Sequence, residues 1–516
     1  MPTVKTMSFN PLGKVSGRPL LILITIASTC GFLLFGYDNG IFAGLIVSPW
    51  FLETYHHPSS TLLATISAMY NIGGAVGSTI AFFVGHALGR RKTILTGVSI
   101  ACVGAIAQCS ATKIAPLVAG RVICGIGVGV MTSTVGLWLA ETAPSKSRGA
   151  FLTLQLLGGA SGGLFLSQWI NFGFNSITTR SAFTFPVGFQ FAFLATCGTL
   201  VTLLPESPRW LVKQDRREEA LAILIRLQGL AGAELRLAEI VEADSLERRV
   251  GGNQYTQLFK GGPTQNFRRV GLSCGVMSMH QLAGINSVTY YLPTILIKFI
   301  GLPHRTALWV TGLSSVTSII CALVPVLTID RLGRRPFLWG GALWQSATFS
   351  CLAALLAHLT PHNSHTVGVG AIVMIFLYFG GNSLTWLGPS WAYPAEILPL
   401  QIREKGLALG NICYWLFQFM IVEITPIAIT NIGYKFYIIL AVFNFCIAAI
   451  VFFLYPETMG LSLEGIDFLF VKKYGTEAEV HEVDEYVSAK AAKELKQKNG
   501  DQWVESVKVA NGETNV

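Results

Sequence analysis

Apolar stretches long enough to cross a bilayer recur along this chain, separated by short polar breaks. A hydrocarbon core of about 30 Å takes about 20 helical residues. Twelve such runs can be placed, the first near 20–46 and the last near 434–455. Lipid offers no partners to backbone N–H and C=O groups, so a spanning segment must be a helix or part of a closed barrel. Runs of this length select the helix. The chain is predicted to be an all-α membrane protein with twelve transmembrane helices.

Composition agrees. Of 516 residues, 52% are hydrophobic and 13% charged, with a mean hydropathy of +0.54. Soluble domains carry about a quarter charged residues. The net charge of +9 would raise nucleic acid as a partner in a soluble protein. Here the basic residues sit in short clusters between apolar runs, so the lipid bilayer is the expected partner and nucleic acid is not. The ten cysteines show no CxxC and no metal spacing, and read as small buried hydrophobes. The segment Met1 to Pro19 is polar and basic with no small-residue cleavage site behind its apolar stretch, so the first run is expected to be retained.

A hydrophilic segment at 206–266 divides the runs into six and six. Arg216 to Arg249 has apolar residues at helical spacing, which predicts amphipathic linker helices. The division is a tail at 1–19, a bundle at 20–205, linker helices at 206–266, a second bundle at 267–456 and a tail at 457–516, with a surface helix over Glu485 to Lys498. The basic clusters fall on one side if both termini share it, which predicts cytoplasmic termini.

Three motif pairs repeat about 250 positions apart. Gly89-Arg90-Arg91 is echoed by Gly333-Arg334-Arg335, and Pro205-Glu206-Ser207 by Pro456-Glu457-Thr458. Glu141-x-x-Pro144-x-x-x-Arg148 is echoed by Glu396-x-x-Pro399-x-x-x-Arg403 at identical spacing. Such a repeat predicts two pseudo-symmetric six-helix bundles, with a solute site between them near the midplane. No nucleophile elbow, metal-ligand cluster or phosphate loop is present, so an enzyme is not expected. Gly125-x-Gly127-x-Gly129 lies inside a helix, where it allows close packing.

These motifs, with Gly36-Tyr37-Asp38, Gly120-Arg121, Pro205-Glu206-Ser207-Pro208-Arg209-Trp210, Gln281-Leu282-Ala283-Gly284-Ile285-Asn286 followed by Tyr290-Tyr291, and Trp391 to Glu396, resemble the sugar porter family of the major facilitator superfamily. The resemblance runs from Gly36 to Glu457, and Val422 to Tyr455 is similar to the fungal branch. It implies the major facilitator fold, and a monomeric secondary active transporter in the plasma membrane. It further implies movement of a hexose or pentose by alternating access, with a proton gradient as the energy source and no cofactor. A non-transporting sugar sensor stays open as a reading. So does a carrier of a polyol, a quinate-like acid or a secondary metabolite of a biosynthetic gene cluster.

The resemblance implies solute binding by Gln155, Gln281, Asn286, Trp391 and Trp415, amides and aromatics that suit a hydroxyl-covered solute. Two positions depart from the family: His280 stands for a glutamine, and Tyr414 for an amide. Both are expected at the same cavity. An intramembrane carboxylate is a functional candidate by default, and the resemblance implies proton coupling by Asp38 paired with Arg121. Gating salt bridges are assigned to Arg90, Arg91, Glu141, Arg148, Asp330, Arg334, Arg335, Glu396 and Arg403. His86 replaces an acid in the first-half loop motif, which is expected to weaken that half's network.

Overall fold

Among the described residues, ten segments are long and apolar enough to cross a membrane, and two further passes, at 148–174 and 266–298, are assembled from shorter pieces. The computed structural model describes residues 15–144, 148–250, 254–259, 261, 265–298, 300–359, 364–399, 401–459, 466, 469 and 470. Among these there are helices and no strand. The first six passes are α1 (Gly17–Leu45), α2 (Ser60–Leu88), α3 (Arg90–Ser110), α4 (Ile114–Thr142), α5 (Arg148–Leu156, Leu157–Ser161 and Gly162–Phe174) and α6 (Ser181–Gly188 and Gln190–Leu203). The second six are α7 (Asn266–Leu282 and Ile285–Lys298), α8 (His304–Leu332), α9 (Arg334–Ala357), α10 (Ser364–Thr385 and Pro389–Ile397), α11 (Arg403–Ile432) and α12 (Lys435–Leu454).

Large apolar side chains such as Phe83, Val103, Ile106, Leu327 and Phe453 point outward. That is the pattern of a chain whose solvent is hydrocarbon. Small residues then let helices approach. A Cβ at Gly125 or Gly129 would lie 2.1 or 2.2 Å from the carbonyl oxygen of Tyr70 or Gly74 on α2, and one at Gly127 would lie 2.4 Å from the Ala101 nitrogen on α3. The glycine run therefore packs α4 against two neighbours at once.

The linker forms helices Pro208–Lys213, Arg217–Gln228 and Leu230–Val250, which share a small core of Trp210, Leu211, Ala220, Leu224 and Ile240. This matches the amphipathic pattern read from the sequence. All ten cysteines are unpaired. Cys351 and Cys446 are exposed rather than buried, a correction to the expectation for those two. The helix expected over Glu485 to Lys498 lies outside the described residues.

Candidate functional site

Three interruptions in the membrane helices converge. In α5 the backbone widens to π geometry over Leu157–Ser161. In α7 the helix stops at Leu282, turns through Gly284 at φ +92° and resumes at Ile285. The break frees the carbonyl of Ala283, which accepts from Tyr378 Oη at 2.9 Å and Asn444 Nδ2 at 3.2 Å. In α10 the helix breaks between Thr385 and Pro389. Irregular backbone at membrane depth is tolerated where protein partners satisfy it or where it lines a cavity.

A small cavity lies where the three meet. Ala160 and Ser161 come from the π turn, His280, Ile285, Asn286 and Thr289 from either side of the α7 break, and Asn382, Ser383 and Leu387 from α10. Phe35, Gly36 and Asn39 of α1, Ser318 of α8 and Tyr414 of α11 close the wall. The wall holds amides, hydroxyls and one imidazole, and no Asp, Glu, Lys or Arg. Both halves contribute.

Of the expected binding residues, His280, Asn286 and Tyr414 line this cavity. Gln281 is fully buried behind it, with Oε1 accepting from Asn286 Nδ2 at 2.5 Å. The other three lie further out. Gln155 donates through Nε2 to the Ser28 carbonyl of α1 at 3.4 Å. Trp391 stands edge-on to Phe32 with ring centroids 5.5 Å apart, and 5.2 Å from Tyr414. Trp415 is buried in the seam between α11 and α2, because Gly74 leaves a slot in which a Cβ would come within 2.4 Å of the indole. Gln155, Trp391 and Trp415 thus stand outside the wall of this cavity.

Asn39 was missed by sequence reasoning. Its Oδ1 accepts from Tyr290 Oη at 2.7 Å and from Gln418 Nε2 at 3.1 Å, tying α1 to α7 and α11. The available signal was a polar residue inside an apolar run beside Asp38.

Asp38 is fully buried, and its Oδ2 receives the Cys124 thiol at 3.5 Å. Arg121 is equally buried. Its guanidinium lies 3.9 Å from the Phe42 ring centroid and 4.5 Å from that of Tyr70, and Nη2 donates to the Ser67 carbonyl at 3.2 Å. No direct ion pair joins Asp38 to Arg121. Two aromatic faces and a carbonyl hold the cation instead.

At the end of the molecule that carries the linker, the three repeated motifs become one unit in each half. Gly89 (φ +82°) opens α3, and the Glu206 carboxylate accepts from the backbone N–H groups of Arg90 (3.0 Å), Arg91 (3.1 Å) and Ser207 (2.9 Å). Gly333 (φ +89°) opens α9, and Glu457 accepts from Arg334 (2.9 Å), Arg335 (3.0 Å) and Thr458 (2.9 Å). A carboxylate at a helix N-terminus satisfies orphan donors and complements the dipole. The Glu of each Pro-Glu-Ser/Thr motif is a cap, a role its sequence did not reveal.

Arg90 pairs with Glu141 at 3.0 Å, and Arg334 with Glu396 at 2.9 Å. Arg90 also reaches Glu404 of the other half at 3.1 Å. Arg91 and Arg335 bond to backbone carbonyls at the ends of α6 and α12, and Arg403 to the Leu398 carbonyl at 3.0 Å, all within their own halves. The side chains of Arg148 and Asp330 lie outside the described residues. Further bonds cross between the halves. On α11, Glu404, Asn411 and Gln418 recur every seven residues and meet Arg90, Ser78 and Asn39. At the far end Thr65 Oγ1 donates to Glu423 at 2.8 Å, and His304 bonds Asn175. Among the described residues, no group of three or more His, Cys, Asp or Glu is placed to hold a metal.

The family model described as "Sugar (and other) transporter" matches residues 23–470. The MFS-type transporter oryC of Aspergillus oryzae is 34% identical over 474 residues, covering 90% of this chain and 88% of its own length. The sugar transporter STL1 of Saccharomyces cerevisiae is 31% identical over 476 residues, covering 89% and 83%. Among solved structures, the proton:xylose symporter XylE bound to 6-bromo-6-deoxy-D-glucose matches with a TM-score of 0.74 at 23% identity, covering 88% of this chain and 99% of that one. The structural likeness speaks for the fold, and the sequence matches for the lineage: the chain belongs to the sugar (and other) transporter family of the major facilitator superfamily.

Proposed function

We propose that this chain moves a monosaccharide or a close derivative across the plasma membrane by alternating access, as a proton symporter and a monomer with both termini cytoplasmic. The observation that carries the reading is the uncharged, amide-lined cavity between the halves, with inter-half bonds at both ends. Bundles 20–205 and 267–456 rock about it. Opening toward the linker parts Arg90 from Glu404, and opening the other way parts Thr65 from Glu423.

Asp38 is the proton carrier. It lies next to Asn39, which holds α1 against α7 and α11, so a change of charge at Asp38 acts on the seam that must move. The names of relatives support the cargo and the coupling: a sugar transporter, a high-affinity glucose transporter of Candida albicans, and a proton:xylose symporter. The test is uptake of a labelled sugar panel into cells lacking their own hexose carriers, with and without a protonophore. Accumulation that collapses with the protonophore supports symport. Uptake that only equilibrates argues for facilitation, and no uptake of any solute argues for a sensor.

A further inference from the structure

His280 is buried, and its ring stacks on Trp386 with centroids 6.0 Å apart. Its Nδ1 lies 3.1 Å from Ser390 Oγ, and its Nε2 is buried with no protein partner. The direction of the Ser390 bond follows from counting protons. Ser390 is fully buried, and His280 Nδ1 is its side chain's partner. If Nδ1 carried the proton, the serine hydroxyl hydrogen would be left without an acceptor. A buried donor left unpaired is strongly disfavoured. Ser390 therefore donates, Nδ1 accepts, and the proton of the neutral imidazole sits on Nε2.

Two other amides of the cavity wall have their oxygens occupied. Asn39 Oδ1 takes two bonds, and Asn382 Oδ1 accepts from Gln345 at 3.4 Å. The NH2 groups of Asn39 and Asn382 remain for the solute, whereas Asn286 spends its Nδ2 on Gln281. A primary amide at position 280 could both donate and accept; this imidazole can only donate.

We infer that Ser390 fixes His280 as a donor, so that the cavity selects a solute presenting a proton-free oxygen there, a carbonyl or ring ether, over one presenting a hydroxyl. A hydroxyl accepting from Nε2–H would still need an acceptor for its own hydrogen, a demand that a carbonyl or ring ether does not make. Ser390 acts as a positioning residue, through His280. The inference rests on the solute-site reading of the cavity.

Binding to the purified full-length chain, read by tryptophan fluorescence, tests it apart from transport. The probes are an aldonolactone and the alditol of the same configuration. Wild type is expected to favour the lactone by about tenfold or more, the size of one unpaired buried bond. Ser390→Ala is expected to bring the ratio near parity, Ser390→Thr to restore it, and His280→Gln to abolish it. Equal binding, preference for the alditol, binding of neither probe, or a Ser390→Ala loss that is the same for both would overturn it. Lactone binding without any transport in cells would leave the inference standing and remove the transport reading.

Discussion

Arg90 and Glu404 form a two-pronged ion pair between the halves, with both Nη–Oε distances at 3.1 Å. Arg90 is meanwhile bound by Glu141 of its own half, so one guanidinium is shared between two carboxylates that belong to different moving bodies. The internal repeat offers no carboxylate at the matching position. By the Glu-x-x-Pro-x-x-x-Arg alignment, Glu404 corresponds to Gly149, which has no carboxylate to meet Arg334.

Removing the shared partner should therefore bias the conformation without unfolding the protein. Glu404→Gln leaves Arg90 paired with Glu141, and a double-mutant cycle on Arg90 and Glu404 should return a coupling of about 0.5–3 kcal/mol. In the same variant, a cysteine placed on the linker-end face of the seam should label faster with a membrane-impermeant thiol reagent applied from that side.

The caps carry stability rather than motion. Glu206→Gln keeps shape and removes a charge that serves three backbone N–H groups. It should cost about 1–2 kcal/mol, read as a lower melting temperature in detergent, and Glu457→Gln should behave alike.

Close approach of α1 to the π turn of α5 leaves no room at Gly36, where a Cβ would lie 2.1 Å from the Ala160 carbonyl oxygen. Gly36→Ala must push backbone against backbone. Folded yield should fall sharply on size-exclusion chromatography, whereas Gly340→Ala, with nothing near the added Cβ, should leave it unchanged.

Asn39→Ala should leave Tyr290 Oη and Gln418 Nε2 without their shared acceptor, at about 1–3 kcal/mol for each buried group. Because the three helices joined there belong to both halves, the loss should appear in the transport rate of protein that still reaches the membrane, measured by initial uptake against surface abundance.

Hydropathy and the paired motifs made the passes, the two halves and the family legible, because lipid and internal repetition each leave a periodic mark. Contacts between distant positions leave none. Thr65 and Glu423 are 358 residues apart, and nothing local tells that they touch. Trp415 reads like a cavity aromatic until Gly74 is seen to hold its ring. His280 stood out as a departure. Its partner Ser390 did not, since a serine beside Pro389 is unremarkable until the break in α10 turns it toward the imidazole.

Asp38→Asn tests the central claim most directly, with uphill accumulation and counterflow exchange of one solute measured in the same vesicles. The substitution keeps size and removes the titrating group. The account predicts that accumulation against a gradient is lost while exchange persists. Accumulation retained at the wild-type level would contradict it, because the proton would then be carried elsewhere.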